Sequence, residues 1–339
     1  MKRIFISVMA LALMASCAKK AVETPPADRV EIKVASQVLE IESKIPYDGQ
    51  IGDGNELTAR VLASTAAGNY QTDNLLAGGD GTITFTDNDQ TARGFDKTPV
   101  YYPVTGSVWL AGLYPSGGVW TISPDGASAT APIDGKTDLM AAKQVETDKT
   151  DCQNGGSPET LSFKHLLTRL DIRVQAESEA ARKAWGKITD IVLKVPQSSL
   201  AVDLAAGTAS ESTRSGSVTH CYVVADGRPG DQAFSGQAAE IPLKPAGEDI
   251  KTDAAYVLCL PIEDVTAKPA YILNVKTEKY AQGMDVEIDL QANAGQPSLS
   301  GSTAGQAFVV TLTFKATEVK AKADVTAWDY AGNASSSLQ

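Results

Sequence analysis

Nowhere does the chain sustain a long 3.6-residue apolar period. Short β-prone runs alternate instead with clusters of Gly, Asp, Asn and Pro. Thr82 to Thr86, Val108 to Tyr114 and Val119 to Ile122 are runs of this kind. Gly78-Gly79-Asp80-Gly81, Ser116-Gly117-Gly118 and Pro124-Asp125-Gly126 supply turn chemistry between them, because Gly accepts positive φ and Asp bonds its own backbone. A chain punctuated in this way closes hairpins and buries one sheet face against another. The pattern therefore predicts an all-β antiparallel sandwich and not alternating βα units.

The second half repeats the pattern more clearly. Leu170, Ile172 and Val174 alternate, as do the runs Ile188 to Val195, Cys221 to Val224, Ala255 to Leu260 and Tyr271 to Lys276. Phe308, Val310, Leu312 and Phe314 share one face; Val319, Ala321, Ala323, Val325 and Ala327 share another. Glu177 to Trp185 is the one stretch suited to a turn or two of helix. Near the start, Val30, Ile32 and Val34 alternate with Glu31 and Lys33. The phase then slips to Leu39 and Ile41, which predicts a bulge or break near Ser36 to Val38. Lys44 precedes a turn-rich loop, Ile45 to Asn55, and Leu57 to Leu62 resumes as strand. With Thr147 to Pro158 read as a linker, the chain divides into sandwiches over 30–158 and 159–339. Aromatics make up only 6% of the residues, which suits thin sandwich layers better than a large helical core.

The first residues carry an address. Lys2 and Arg3 form a basic head, Ile4 to Ala15 an apolar run of about a dozen residues, and Ala15 and Ser16 a small-residue step before Cys17. A membrane span needs about 20 apolar residues, so this layout is that of a secretory signal over 1–16. Leu13-Met14-Ala15-Ser16-Cys17 resembles the lipobox of bacterial lipoproteins, with Met14 where Leu is commoner. That resemblance implies cleavage before Cys17 and its acylation (palmitate included), with residues 17–29 as a tether through Pro25-Pro26. Loss of Lys2 and Arg3 takes the net charge from −11 to −13. Such an acidic surface argues against nucleic-acid partners, which reward Lys and Arg.

Catalytic chemistry finds no foothold. The two histidines, His165 and His220, are far apart, and no HExxH, GxSxG or phosphate-cradling glycine loop occurs. Asp87-Asn88-Asp89 lacks the spacing and the glycine of a calcium loop and reads as a turn. No catalytic residue, metal site or cofactor is expected. His165 suits a hydrogen-bonded structural role. Besides Cys17, the cysteines are Cys152, Cys221 and Cys259, without paired spacing. One disulfide or three thiols are both compatible, with Cys259 buried in its apolar run and Cys152 exposed.

Several motifs in order carry a family resemblance. Phe163-Lys164-His165 runs into Leu170-Asp171-Ile172-Arg173-Val174, and Leu260-Pro261 follows. Gly305-Gln306-Ala307-Phe308 opens the late alternating strand, and Val325-Thr326-Ala327-Trp328 lies near the end. With Tyr47-Asp48-Gly49 and the lipobox, the chain resembles the fimbrillin family of Bacteroidales lipoproteins, subunits of protease-assembled type V pili. The resemblance implies two consecutive transthyretin-like sandwiches in a surface-exposed outer-membrane lipoprotein that enters a fimbrium. It further implies that an extracellular trypsin-like protease removes an N-terminal strand, and that a strand of the next subunit replaces it. Val30, Ile32 and Val34 fit the removable strand. Val319, Ala321, Ala323, Val325 and Ala327 fit the donor, although a resident core strand capped by Trp328 would show the same pattern. Lys44, Arg29 and Arg60 are candidate processing positions, with Lys33 also basic. Implied partners are other fimbrial subunits, the outer membrane through the lipid, the protease, and a host or bacterial surface receptor.

Two other assignments fit the same residues. One is a non-polymerising pilus anchor or tip adhesin. The other is a surface carbohydrate-binding lipoprotein of a glycan-uptake system, with Trp109, Tyr114 and Trp120 as a stacking platform.

Overall fold

Alternation along the chain resolves into strands almost everywhere, with one short helix among the described residues. The structure, a computed structural model, describes residues 29–38, 56–71, 75–76, 81–86, 91–153, 156–194, 199–213, 219–225, 228–262, 271–288, 302 and 304–326. The early strands are β1 (Ala35–Val38), β2 (Leu57–Ser64), β3 (Thr82–Phe85), β4 (Val108–Tyr114), β5 (Thr121–Ile122), β6 (Ser128–Pro132), β7 (Met140–Thr147) and β8 (Thr160–His165). Then come β9 (Thr168–Ala176), helix α1 (Glu179–Trp185), β10 (Ile188–Leu193), β11 (Ser199–Asp203), β12 (Thr208–Thr213), β13 (Thr219–His220) and β14 (Tyr222–Ala225). The last are β15 (Arg228–Ala233), β16 (Ala255–Cys259), β17 (Tyr271–Thr277), β18 (Met284–Ile288), β19 (Ala307–Phe314) and β20 (Val319–Thr326).

Four sheets pair into two sandwiches. In the first, a six-stranded sheet ordered β1-β8-β7-β4-β2-β3 packs on a four-stranded sheet, β12-β11-β6-β5. Leu62, Leu113, Ala129, Leu200 and Val202 meet between them. In the second, β15-β14-β16-β9-β19-β20 packs on β13-β10-β17-β18 around Leu170, Ile172, Val257, Leu273 and Leu312. Helix α1 closes one side of that core. Ser178 caps it by accepting from Ala181 N, Gly186 ends it at φ 71°, and Trp185 packs against Phe314 and Tyr280. The outer face of the first six-stranded sheet is also buried: Val61, Ile83, Phe85, Leu110 and Phe163 form a third cluster there.

Three expectations change. The sheets are not purely antiparallel, since β1 runs parallel to β8 and β19 parallel to β9. Ser36 to Val38 is not a break. It lies within β1, where the chain leaves the face of the sheet and joins its edge. The sheets also do not divide at 158/159, because β8, β11 and β12 all hydrogen-bond into the first sandwich. The chain first crosses between sandwiches at the buried pair Leu166 and Leu167, where Leu166 N donates to Leu139 O at 2.8 Å, and it returns for β11 and β12. Thr147 to Gln153 is a folded turn instead of a linker. Asp151 Oδ2 accepts from Thr147 Oγ1 at 2.9 Å and from Asp148 N at 2.7 Å.

Candidate assembly surface

The residues before β1 do not extend the sheet. They cross its outer face. Val30 O accepts from Tyr102 N at 3.0 Å and Ile32 N donates to Val100 O at 2.7 Å. Val34 and Arg93 exchange both backbone bonds, at 3.0 and 2.9 Å. Ala35 N then donates to Glu159 O at 2.9 Å, and β1 takes its parallel place beside β8. The period-two pattern sets which side chains enter. Ile32 and Val34 have no exposed surface and pack with Leu57, Phe85 and Phe163. Glu31 and Lys33 point the other way and pair at 3.7 Å. Burying an Ile or Val side chain contributes about 1.5–3 kcal/mol, so these two residues hold much of the segment in place.

A second layer secures the seat. Tyr102 is buried, and its hydroxyl meets Thr147 Oγ1 at 2.8 Å and Cys152 Sγ at 3.4 Å. Burial, followed by the Cys152 contact, holds the Tyr102 phenol well above its ordinary pKa, so it stays a neutral hydrogen-bonding group. Cys152 is half-buried here, with Sγ 3.5 Å from Lys33 O, where exposure was expected.

The other site residues scatter. Arg29 is exposed at the start of the segment, with its guanidinium 5.7 Å from the Tyr101 ring centroid. Arg60 sits within β2, paired on both sides by β3 and β4, and its Nη1 donates to Trp120 O at 3.0 Å. A protease that binds extended chain has nothing to engage there. Cys17, Lys44 and Ala327 lie outside the described residues, as do Asp87-Asn88-Asp89 and Trp328. Strand β20 is the edge of its sheet and pairs antiparallel with β19 from Val319 to Thr326. Ala323 is buried, and Val319 and Ala321 pack against the second core. Lys320 on this edge is exposed, a charge that discourages further pairing there.

Trp109, Tyr114 and Trp120 do not make a platform. Trp120 is buried in the inter-sheet core of the first sandwich, whereas Tyr114 packs against the cluster on the opposite face. His165 Nδ1 lies 2.9 Å from Asp138 Oδ2 with both side chains buried, which is the structural role its position suggested. His220 is exposed on β13. Among the described residues, no three His, Cys, Asp or Glu side chains gather to hold a metal, and no helix is long and apolar enough to cross a membrane.

The fold has solved counterparts. A candidate cell adhesion protein from Bacteroides uniformis aligns with a TM-score of 0.52 at 18% identity, over 90% of this chain and 100% of its own. A second, from Bacteroides ovatus, aligns with a TM-score of 0.51 at 14% identity, over 89% and 98%. A fimbrial protein from Bacteroides vulgatus aligns over 89% and 100%, with a TM-score of 0.47 at 10% identity. Among curated proteins none matches at a significant level. At these identities the first two structures speak for the fold alone. The sequence speaks for more: the fimbrillin-like family profile matches residues 46–328, most of the chain, and the chain belongs to that family.

Proposed function

We propose that this protein is a cell-surface fimbrial subunit that joins other subunits by exchange of its N-terminal strand. As a fimbrillin-like protein it is structural and not an enzyme. In this reading Cys17 is acylated and tethers the precursor to the outer membrane. A trypsin-like protease then cuts on the C-terminal side of the seated segment, at Lys44, and a strand from a neighbouring subunit takes its place. The two sandwiches are read as transthyretin-like domains.

One observation carries the proposal. Ile32 and Val34 are fully buried in the outer-face cluster, and the segment that bears them crosses the sheet face, bonded through its backbone to Arg93, Val100 and Tyr102 in the manner of a laid-in strand. An incoming strand with apolar residues at the same alternate positions would regain both the burial and the backbone pairing. Cutting at Arg29 would leave Ile32 and Val34 seated, so only a cut beyond β1 opens the groove.

Intact-mass measurement on sheared surface material and on outer membranes tests this. Polymers whose subunits begin just after Lys44 are expected. A single acylated species starting at Cys17 and confined to the membrane would replace the polymerising role with that of an anchor.

A further inference from the structure

Beside the seated segment lies a cavity of about 1380 Å³, and its lining is unlike the rest of the molecule. The whole chain carries 41 Asp and Glu against 30 Lys and Arg. Among the described residues the cavity wall has Arg29, Lys97 and Lys149 and no carboxylate. Among the described residues, the acidic side chains close in sequence to the lining are engaged elsewhere. Asp96 accepts from Thr84 N and Oγ1 at 3.0 and 2.9 Å, and Asp151 is held by Thr147 and Asp148. Glu31 pairs with Lys33. Arg29 rests near Tyr101, and Lys149 donates to the Val104 carbonyl at 3.3 Å. Three cations thus surround one concavity on an acidic protein, which favours entry of an anion.

The rest of the wall narrows the class. Pro99, Tyr101 and Val104 give it apolar surface, and Val104 is 87% exposed. Several of its backbone groups are already bonded. Val100 O accepts from Ile32 N, Val30 O from Tyr102 N, and Thr82 O from Asp96 N. An acidic peptide docking as an added strand would need those groups free. A ligand recognised by side chains alone, with ring faces for Tyr101 and Pro99 and an acidic group for the cations, does not. The volume exceeds the roughly 300–1,000 Å³ of ordinary small-molecule pockets, which suits an oligomer. The geometry points to a binding cleft for acidic oligosaccharides bearing carboxylate or sulfate groups. It is separate from Trp109, Tyr114 and Trp120, and it does not depend on polymerisation. Because Arg29 and Val30 form part of its wall, the cleft is complete only while the N-terminal segment is seated.

The test is titration of the full chain with polygalacturonate, chondroitin sulfate, a neutral dextran and poly-glutamate, at low and at physiological ionic strength. Saturable binding to one or both acidic glycans is expected, weakening with salt, and the two arms tell carboxylate from sulfate recognition. Lys97→Glu with Lys149→Glu, both exposed positions, should lower affinity about tenfold or more without moving the thermal midpoint. Lys97→Arg with Lys149→Arg should retain binding. No glycan binding, equal binding of dextran or poly-glutamate, or full affinity in the charge-reversed variant would each overturn the assignment.

Discussion

Asp171 Oδ1 accepts from both Nε and Nη2 of Arg169, two residues earlier on β9, at 2.7 and 2.6 Å. Both side chains are buried, on the face of β9 opposite Leu170 and Ile172. The guanidinium lies 5.3 Å from the Tyr256 ring centroid. Burial raises the Asp171 carboxyl to about 6 against an ordinary 3.8, with Asp253 adding to the rise and the attraction of Arg169 opposing it.

That direction sets a pH dependence. Between about pH 4 and pH 6 the folded chain holds a proton on Asp171 that the unfolded chain has released. The contribution of this group to stability therefore falls as pH rises through that window and is greatest below it. The unfolding free energy of the wild type, minus that of Asp171→Asn, should grow by up to about 3 kcal/mol from pH 7 to pH 4. Urea titrations at several pH values measure it. A difference that stays flat would mean that Arg169 fully offsets the burial.

Ile32→Ala should cost about 2–4 kcal/mol, since the side chain is fully enclosed and its neighbours belong to rigid strands. Lys33→Ala, on the outward side, should change stability by less than about 0.5 kcal/mol. The same Ile32 variant should be cut faster by trypsin at Arg29 and Lys33. Equal, small effects of both substitutions would show that the segment is not a structural part of the sandwich.

Local chemistry was readable and distant pairing was not. Strand β4 follows from alternation between turn clusters, and its observed limits are Val108 and Tyr114 as read. Strand β1 is not legible in the sequence because Ala-Ser-Gln-Val has no alternating pattern and its partner, β8, is far along the chain and parallel. The place of β8 in the first sandwich has the same cause. Its six residues look alike whichever sheet receives them. On β9 the apolar face was plain, but Arg169 and Asp171 resembled a solvated face until Tyr256 covered them. Arg29, Lys97 and Lys149 are too widely spaced for any sequence window to join them.

Gly135 joins the two sandwiches. It sits at φ +89°, its carbonyl accepts from Leu258 N at 2.7 Å, and a Cβ there would come within 2.7 Å of His220 O. Gly106 has a similar φ, +97°, but faces open space. Both Gly→Ala changes should therefore cost backbone strain, and Gly135→Ala should cost at least about 1 kcal/mol more because backbone must move as well. Denaturant midpoints of the two variants make the comparison. Equal losses would show that the close approach at the junction is readily relieved.

Cys221 and Cys259 lie in the second core as free thiols with no exposed surface. Burial pushes the Cys221 thiol well above its ordinary pKa, and the neighbouring Cys259 and Asp190 push it further. The thiolate is the reactive form, so neither access nor ionisation favours attack there. Cys152 is half-buried beside Tyr102, so reagent reaches it more readily. Among these three, alkylation of the native protein at pH 8 should mark Cys152 first, with Cys221 and Cys259 reacting only in denaturant. Reductant should leave the thermal midpoint unchanged. Rapid native labelling at Cys221 would mean that the second sandwich opens locally, and a midpoint lowered by reductant would mean that a disulfide holds it.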